Sequence, residues 1–193
     1  MGATVAPSVS ALAGQVDHVF TCLPNPAVSE AVLAELMTGL KPGATWIENS
    51  TLGRDDVLRL AGLARFGQVR LLEAPVTGGV HLAARGEITV LLGGDQDLVD
   101  LHRPALSVIG NRLFHMGPLG SAAIIKVITN MLAFIHLKAT SEALMLAKRG
   151  GLDLGPHGQG VGEVGLQRIA RAVVDDADDP VEGLAQGRVR HRS

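Results

Sequence analysis

One lysine decides what chemistry this 193-residue chain can offer. Lys126 stands in the stretch AAIIKVITNML, with aliphatic residues on both sides and at three and four positions away. On a helix of that spacing the lysine has almost no wet face to reach. A partly desolvated lysine has a depressed pKa and exchanges a proton near neutral pH. The plainer alternative is a surface lysine whose stem snorkels along apolar surface. Asn130 comes four residues later and shares the helix face of Lys126. Together, an ammonium and an amide on an otherwise apolar face can hold one oxygenated substrate. Without Lys126, Asn130 would read as a helix residue bonded to solvent.

Three further stretches follow strand-like runs. Glu73-Ala74-Pro75-Val76-Thr77-Gly78-Gly79 ends in consecutive glycines, which let the backbone approach a ligand and turn N–H groups toward an anion. The Thr77 hydroxyl adds a hydrogen bond, so a carboxylate suits Thr77, Gly78 and Gly79; a simple glycine-rich turn explains the spacing equally well. Leu23-Pro24-Asn25-Pro26 and Glu48-Asn49-Ser50-Thr51 also lie at strand ends, where open α/β sheets bind ligands. For the second of these, capping of the next helix by Ser50 or Thr51 is a sufficient explanation.

The elements that must position these residues alternate. Apolar runs at His18–Leu23, Thr45–Glu48, Val69–Glu73, Ile88–Leu92 and Arg112–His115 read as strands. Val28–Leu40, Asp55–Arg65 and Asp97–Val108 have helical spacing, with Lys41-Pro42-Gly43 ending the first and Asp95 or Asp97 capping the third. Between Glu73 and Ile88 there is room for only a short helix. The alternation predicts an α/β fold with a mostly parallel sheet. From Leu119 to about Arg149 there is neither Pro nor Gly apart from Gly120, and one long helix is expected, stopped by Gly150-Gly151. The remainder is rich in Gly, Arg and Asp and is expected to be an irregular, poorly ordered tail.

Composition narrows the function classes. A net charge of -2 gives no electrostatic footprint for nucleic acid, and 3% aromatic residues give few stacking platforms. The single cysteine, Cys22, rules out a disulfide within the chain and reads as a small buried hydrophobe. The seven histidines lack metal-ligand spacing, so no metal site is expected; His81, His115 and His136 read as packing or surface residues. No G-x-S-x-G elbow and no Walker A sequence occur. No signal-peptide pattern opens the chain, and Lys126 with Asn130 argues against a membrane span over residues 121–137. A cytoplasmic location is the expectation.

Four blocks, in order, resemble one family. They are the strand ending in TCLP, then ENST, then EAPVTGG with ARGEITVLLGG, then GPLGSAAIIKVITN. Over about residues 3 to 155 the chain is similar to the β-hydroxyacid dehydrogenases, the group of 3-hydroxyisobutyrate dehydrogenases and tartronate semialdehyde reductases related to 6-phosphogluconate dehydrogenase. The resemblance implies that Lys126 is the catalytic lysine, giving a proton to the substrate oxygen or taking one as hydride moves to or from a nicotinamide. It implies that Thr77, Gly78 and Gly79 hold the substrate carboxylate, with Thr77 where the family has Ser, and that Asn130 orients the substrate. Leu23, Pro24 and Thr51 are implied as contacts to NAD or NADP.

The resemblance begins after the family's opening strand and its G-x-G-x-x-G turn, and no such unit precedes His18. The expected organisation is a partial dinucleotide-binding domain over residues 1–117, an incomplete Rossmann-type sheet without its first βαβ unit. A long helix follows over 118–155, opening a helical domain, then a divergent tail over 156–193. Two functional expectations follow. One is an oxidoreductase moving hydride between NAD(P) and a small β-hydroxyacid. The other is a catalytically impaired remnant or interaction protein. Either is expected to be a homo-oligomer or to pair with a full-length relative.

Overall fold

The computed structural model describes residues 2–154. They fall into two compact units, divided between Asn130 and Met131.

In the first unit Ser8 opens a short helix, α1 (Val9–Ala13), its Oγ accepting from the Ala11 amide at 3.1 Å. Strand β1 (His18–Thr21) follows, then α2 (Pro26–Leu36), β2 (Thr45–Glu48), α3 (Arg54–Phe66) and β3 (Arg70–Glu73). Asn25 caps α2 through a 3.0 Å bond from the Val28 amide, and Pro26 takes the first helical position, where no N–H is required. After Ala74-Pro75 come β4 (Val76–Thr77), α4 (Gly79–Ala83), β5 (Thr89–Leu92), α5 (Gln96–Ile109) and β6 (Arg112–His115).

Strands β1, β2 and β3 pair in parallel in that order, with Thr21, Glu48 and Glu73 level with one another. Among the described residues, strand β1 is hydrogen-bonded on its β2 side only. A second group runs β4-β5-β6, antiparallel at β4–β5 and parallel at β5–β6. An antiparallel bridge between Glu73 and Gly93 joins the two groups, with reciprocal backbone bonds of 3.0 and 2.9 Å.

Neighbouring residues of a strand face opposite sides, so Trp46 and Ile47 of the fully buried β2 enter different cores. Val19, Trp46 and Leu71 pack with Leu33 and Leu36 of α2 and Leu60 of α3. Ile47, Leu72, Val90 and Leu92 pack with Leu98 and Leu106 of α5. The sheet is thereby covered on both faces, as parallel strands require. The Trp46 indole also donates to Thr21 Oγ1 at 2.7 Å, which satisfies its one polar atom.

Helix α2 ends at Leu36, short of the expected Leu40. Thr38 turns its hydroxyl onto the Glu35 carbonyl at 2.7 Å, and Gly39 passes so close to α1 that a Cβ there would stand 2.8 Å from the Ser10 carbonyl. Neither Ser50 nor Thr51 caps α3; its N-cap is Gly53, without a side-chain bond. Asp95 is the N-cap residue of α5 but makes no capping bond, and Asp97 pairs with Arg70 instead.

The last helix, α6 (Ser121–Arg149), starts in the first unit and matches its expected span within two residues. Gly151 ends it with φ 88°, and the Leu152 amide reaches back to the Ala147 carbonyl at 3.1 Å. In the second unit Phe134, Ile135, Leu137, Met145 and Leu146 of α6 are exposed. By length and composition α6 is apolar enough to cross a membrane. The tail expected over 156–193 lies outside the described residues.

Candidate active site

Every residue singled out for chemistry belongs to the first unit. Lys126 is 7% exposed, and its Nζ has no hydrogen-bond or ion-pair partner among the described residues. Burial holds its pKa below the usual 10.5 of a lysine. It follows Ala122 and Ala123 on the inward face of α6, the small side chains that let the helix lie close to the sheet. Asn130 is half-buried on the same side. Thr129 bonds back to the Lys126 carbonyl at 2.9 Å, keeping its hydroxyl on the helix.

Thr77 ends β4 half-buried, while Gly78 and Gly79 are exposed. Both glycines have positive φ, 130° and 74°, a conformation that L side chains rarely adopt. A Cβ at Gly78 would also stand 2.8 Å from Leu82 Cδ1. No hydrogen bond joins these three residues to Lys126 or Asn130 among the described residues.

Leu23 and Pro24 lie just beyond β1, and Thr51, exposed, just beyond β2. One hydroxyl brings these two loops together. Ser50 Oγ accepts from the Leu23 amide at 2.6 Å and donates to Glu48 Oε1, which also accepts the Ser50 amide at 2.8 Å. Glu48 is 2% exposed, and its Oε2 has no partner among the described residues. Asn49 holds the Ala74 carbonyl at 2.7 Å, tying β2 to the start of the Thr77 loop.

Glu73, 1% exposed, makes the longest-range bonds of the site. Its Oε1 accepts from the Ala122 amide at 2.9 Å and its Oε2 from the Ala123 amide at 3.3 Å. Burial raises the Glu73 pKa; the amides of Ala122, Gly120 and Ala123 pull it down without cancelling that rise. A carboxylate at the start of a helix satisfies amides that have no partner within the helix and meets the positive end of its dipole.

Cys22 corrects the sequence reading. It is exposed, not buried, because it continues the outward alternation of His18 and Phe20 past the end of β1. It lines an open, mainly apolar cavity of about 460 Å³ together with Asn49, Val76, Ile88, Val108 and Ile109. From sequence Ser50 was expected only as a helix cap, and the links of Glu48 to Ser50 and of Gly93 to Glu73 were not foreseen. The available signal was a pair of strands, TWIE and RLLE, that each end in Glu after apolar residues, since a buried acid must find donors. Among the described residues no three His, Cys, Asp or Glu side chains gather as metal ligands.

Parallel strands covered on both faces, with loops gathered beyond their carboxyl ends, define a Rossmann-like nucleotide-binding α/β protein. Residues 1–117 match the family described as the NAD binding domain of 6-phosphogluconate dehydrogenase, and the chain belongs to that family.

Its relatives include the mitochondrial 3-hydroxyisobutyrate dehydrogenase of Drosophila melanogaster, 34% identical over 153 residues, covering 79% of this chain and 47% of that protein. The 2-(hydroxymethyl)glutarate dehydrogenase of Eubacterium barkeri is 29% identical over 154 residues, covering 78% and 51%. A solved structure of Mycobacterium tuberculosis 3-hydroxyisobutyrate dehydrogenase with L-serine superposes with a TM-score of 0.72 at 29% identity, covering 77% of this chain and 51% of that one. The chain thus spans about half the length of the curated relatives it matches.

Proposed function

We propose that the chain carries the acid/base and substrate-holding parts of an NAD(P)-linked oxidoreductase acting on a small β-hydroxyacid. The observation that carries this reading is Lys126, buried, without a partner among the described residues, and with its pKa depressed by desolvation. A group so placed moves a proton more readily than an exposed lysine.

The loops beyond β1 and β2 suit the nicotinamide end of NAD or NADP. They offer Leu23 and Pro24 as apolar contacts, Thr51 as an exposed hydroxyl, and a mainly apolar cavity beside them. The fit stops short of the pyrophosphate, for which the described residues supply no strand running into a glycine-rich turn. The spelling G-x-G-x-x-G occurs at Gly160, Gly162 and Gly165, outside the described residues and after Gly155-Pro156-His157, with no strand-like run before it; it supports no assignment.

When bound, NAD(P) supplies the hydride acceptor or donor. The chain's own residues do the rest. Neutral Lys126 takes the proton from the substrate hydroxyl in oxidation; as an ammonium it returns that proton in reduction. The Thr77 hydroxyl and the amides of Gly78 and Gly79 receive the carboxylate, and Asn130, on the Lys126 side of α6, orients the hydroxyl. The reading includes a cytoplasmic location, no nucleic-acid partner and no membrane, with α6 a helix of a water-soluble protein.

Equilibrium dialysis with NAD and NADP, followed by turnover of 3-hydroxyisobutyrate and L-serine, tests the proposal. Saturable binding and turnover that Lys126→Ala abolishes are expected. Turnover that survives Lys126→Ala overturns the role given to Lys126.

A second reading has its own observation. The exposed apolar residues of α6 in the second unit favour association with another copy or with a full-length relative, in a protein that need not turn over substrate. Sedimentation as a monomer at micromolar concentration would remove this reading.

A further inference from the structure

We propose that Glu73 is a positioning residue that fixes how deeply Lys126 is buried, and that Gly93 lacks a side chain so that Glu73 can do so. The functional meaning of this inference rests on the reading of Lys126 above; the placement itself does not.

Glu73 reaches α6 across 49 and 50 residues of sequence to hold the amides of Ala122 and Ala123. These amides belong to the first turn of α6, so gripping two of them fixes both the rotation of the helix and its position along its axis. Lys126 comes about one turn after Ala122, too near for the helix to bend away in between. Nothing else holds its ammonium: Nζ has no partner among the described residues. Its depth therefore follows from where the helix begins.

The room for Glu73 comes from Gly93. A Cβ built at Gly93 would fall on the Glu73 carboxylate, within 2.6 Å of Cδ and 2.7 Å of Cγ. Gly93 cannot retreat, because its backbone is bonded both ways to Glu73 at 3.0 and 2.9 Å. Any side chain there must push the carboxylate off the helix. Glu73 also ends the strand that leads through Ala74-Pro75 into Thr77, so one residue ties the proposed carboxylate loop to the helix that bears the lysine.

The test reads Lys126 directly. The sequence has four lysines, Lys41, Lys126, Lys138 and Lys148, and the other three are exposed, so ε-13C-lysine labelling gives one site and three internal references. In the unaltered protein the Lys126 signal is expected to titrate below the other three. Glu73→Gln sets an NH2 group against a helix amide and loosens the grip. Gly93→Ala displaces the carboxylate without changing charge. Each is expected to move the Lys126 midpoint upward, toward the exposed lysines, as water reaches it.

Emission from the single, buried Trp46 reports whether each variant is folded. If either folded variant leaves the Lys126 midpoint unchanged, the proposal is overturned. Should Glu73→Gln not fold, Gly93→Ala carries the test. If the unaltered protein shows the low midpoint but no turnover, the oxidoreductase reading fails and the placement of Lys126 by Glu73 still stands.

Discussion

Ser50 Oγ lies 2.6 Å from the Leu23 amide, and that contact joins the loops that leave β1 and β2. Ser50 in turn is held by the buried Glu48. In this way a residue with no proposed ligand contact of its own shapes two loops that have one.

Ser50→Ala is expected to cost about 1–2 kcal/mol, because the Leu23 amide is left without its acceptor. It is also expected to weaken NAD(P) binding more than it changes turnover at saturating cofactor. Urea unfolding checks the first part and cofactor titration the second.

Replacing Lys126 with Met should separate stability from activity. Met keeps nearly the length of the side chain and removes a buried ammonium that has no partner among the described residues, so the variant is expected to be more stable at neutral pH by about 1 kcal/mol or more. Turnover is expected to fall roughly 100- to 10,000-fold, the usual worth of a general acid/base. The pH dependence has a definite sign. With its folded pKa below the unfolded 10.5, Lys126 contributes stability that is present above 10.5 and lost as pH falls through the folded value. The stability advantage of Lys126→Met should therefore shrink as pH rises toward 10.5, which denaturant unfolding at several alkaline pH values would register.

His102 predicts acid sensitivity. It is 3% exposed, its Nε2 lacks a partner among the described residues, and its ring meets that of His18 edge-on at 4.6 Å. Burial lowers its pKa below 6.5, and the charges of His18 and Arg70 lower it further. Stability from this group is complete above pH 6.5 and is lost as pH falls through the folded value. The midpoint urea concentration is expected to drop between pH 7.5 and pH 5, and the drop is expected to be smaller in His102→Leu.

Trp46→Ala is expected to cost about 3–5 kcal/mol, the usual effect of removing a large buried aromatic. The indole is 0% exposed and bonded to Thr21. Thermal unfolding followed by circular dichroism would measure it, since the variant has no tryptophan to report.

The fold was largely legible because periodicity follows burial. Strand β2 reads as an apolar run because both of its faces are covered, and α6 reads as one helix because glycine and proline are absent from Ser121 to Arg149. Apart from Cys22, what sequence did not show depended on distant partners. Cys22 looked buried from its residue type, yet strand alternation turns it outward. Ser50 looked like a cap, yet it serves a loop 27 residues away. Lys126 stood out because aliphatic neighbours crowd it. The partner of Glu73 did not, because nothing local tells an acid at the end of a strand that a helix 49 residues later will begin beside it.

The rim of β1 that no described residue pairs restricts what can extend this sheet in parallel. Its paired neighbours run in the same direction, so a strand joining that rim in parallel cannot arrive through a tight hairpin. It has to return over a crossover of a dozen or more residues, or be lent by a separate polypeptide. Parallel growth of the sheet on that side is thereby governed by connectivity before side-chain complementarity has any say.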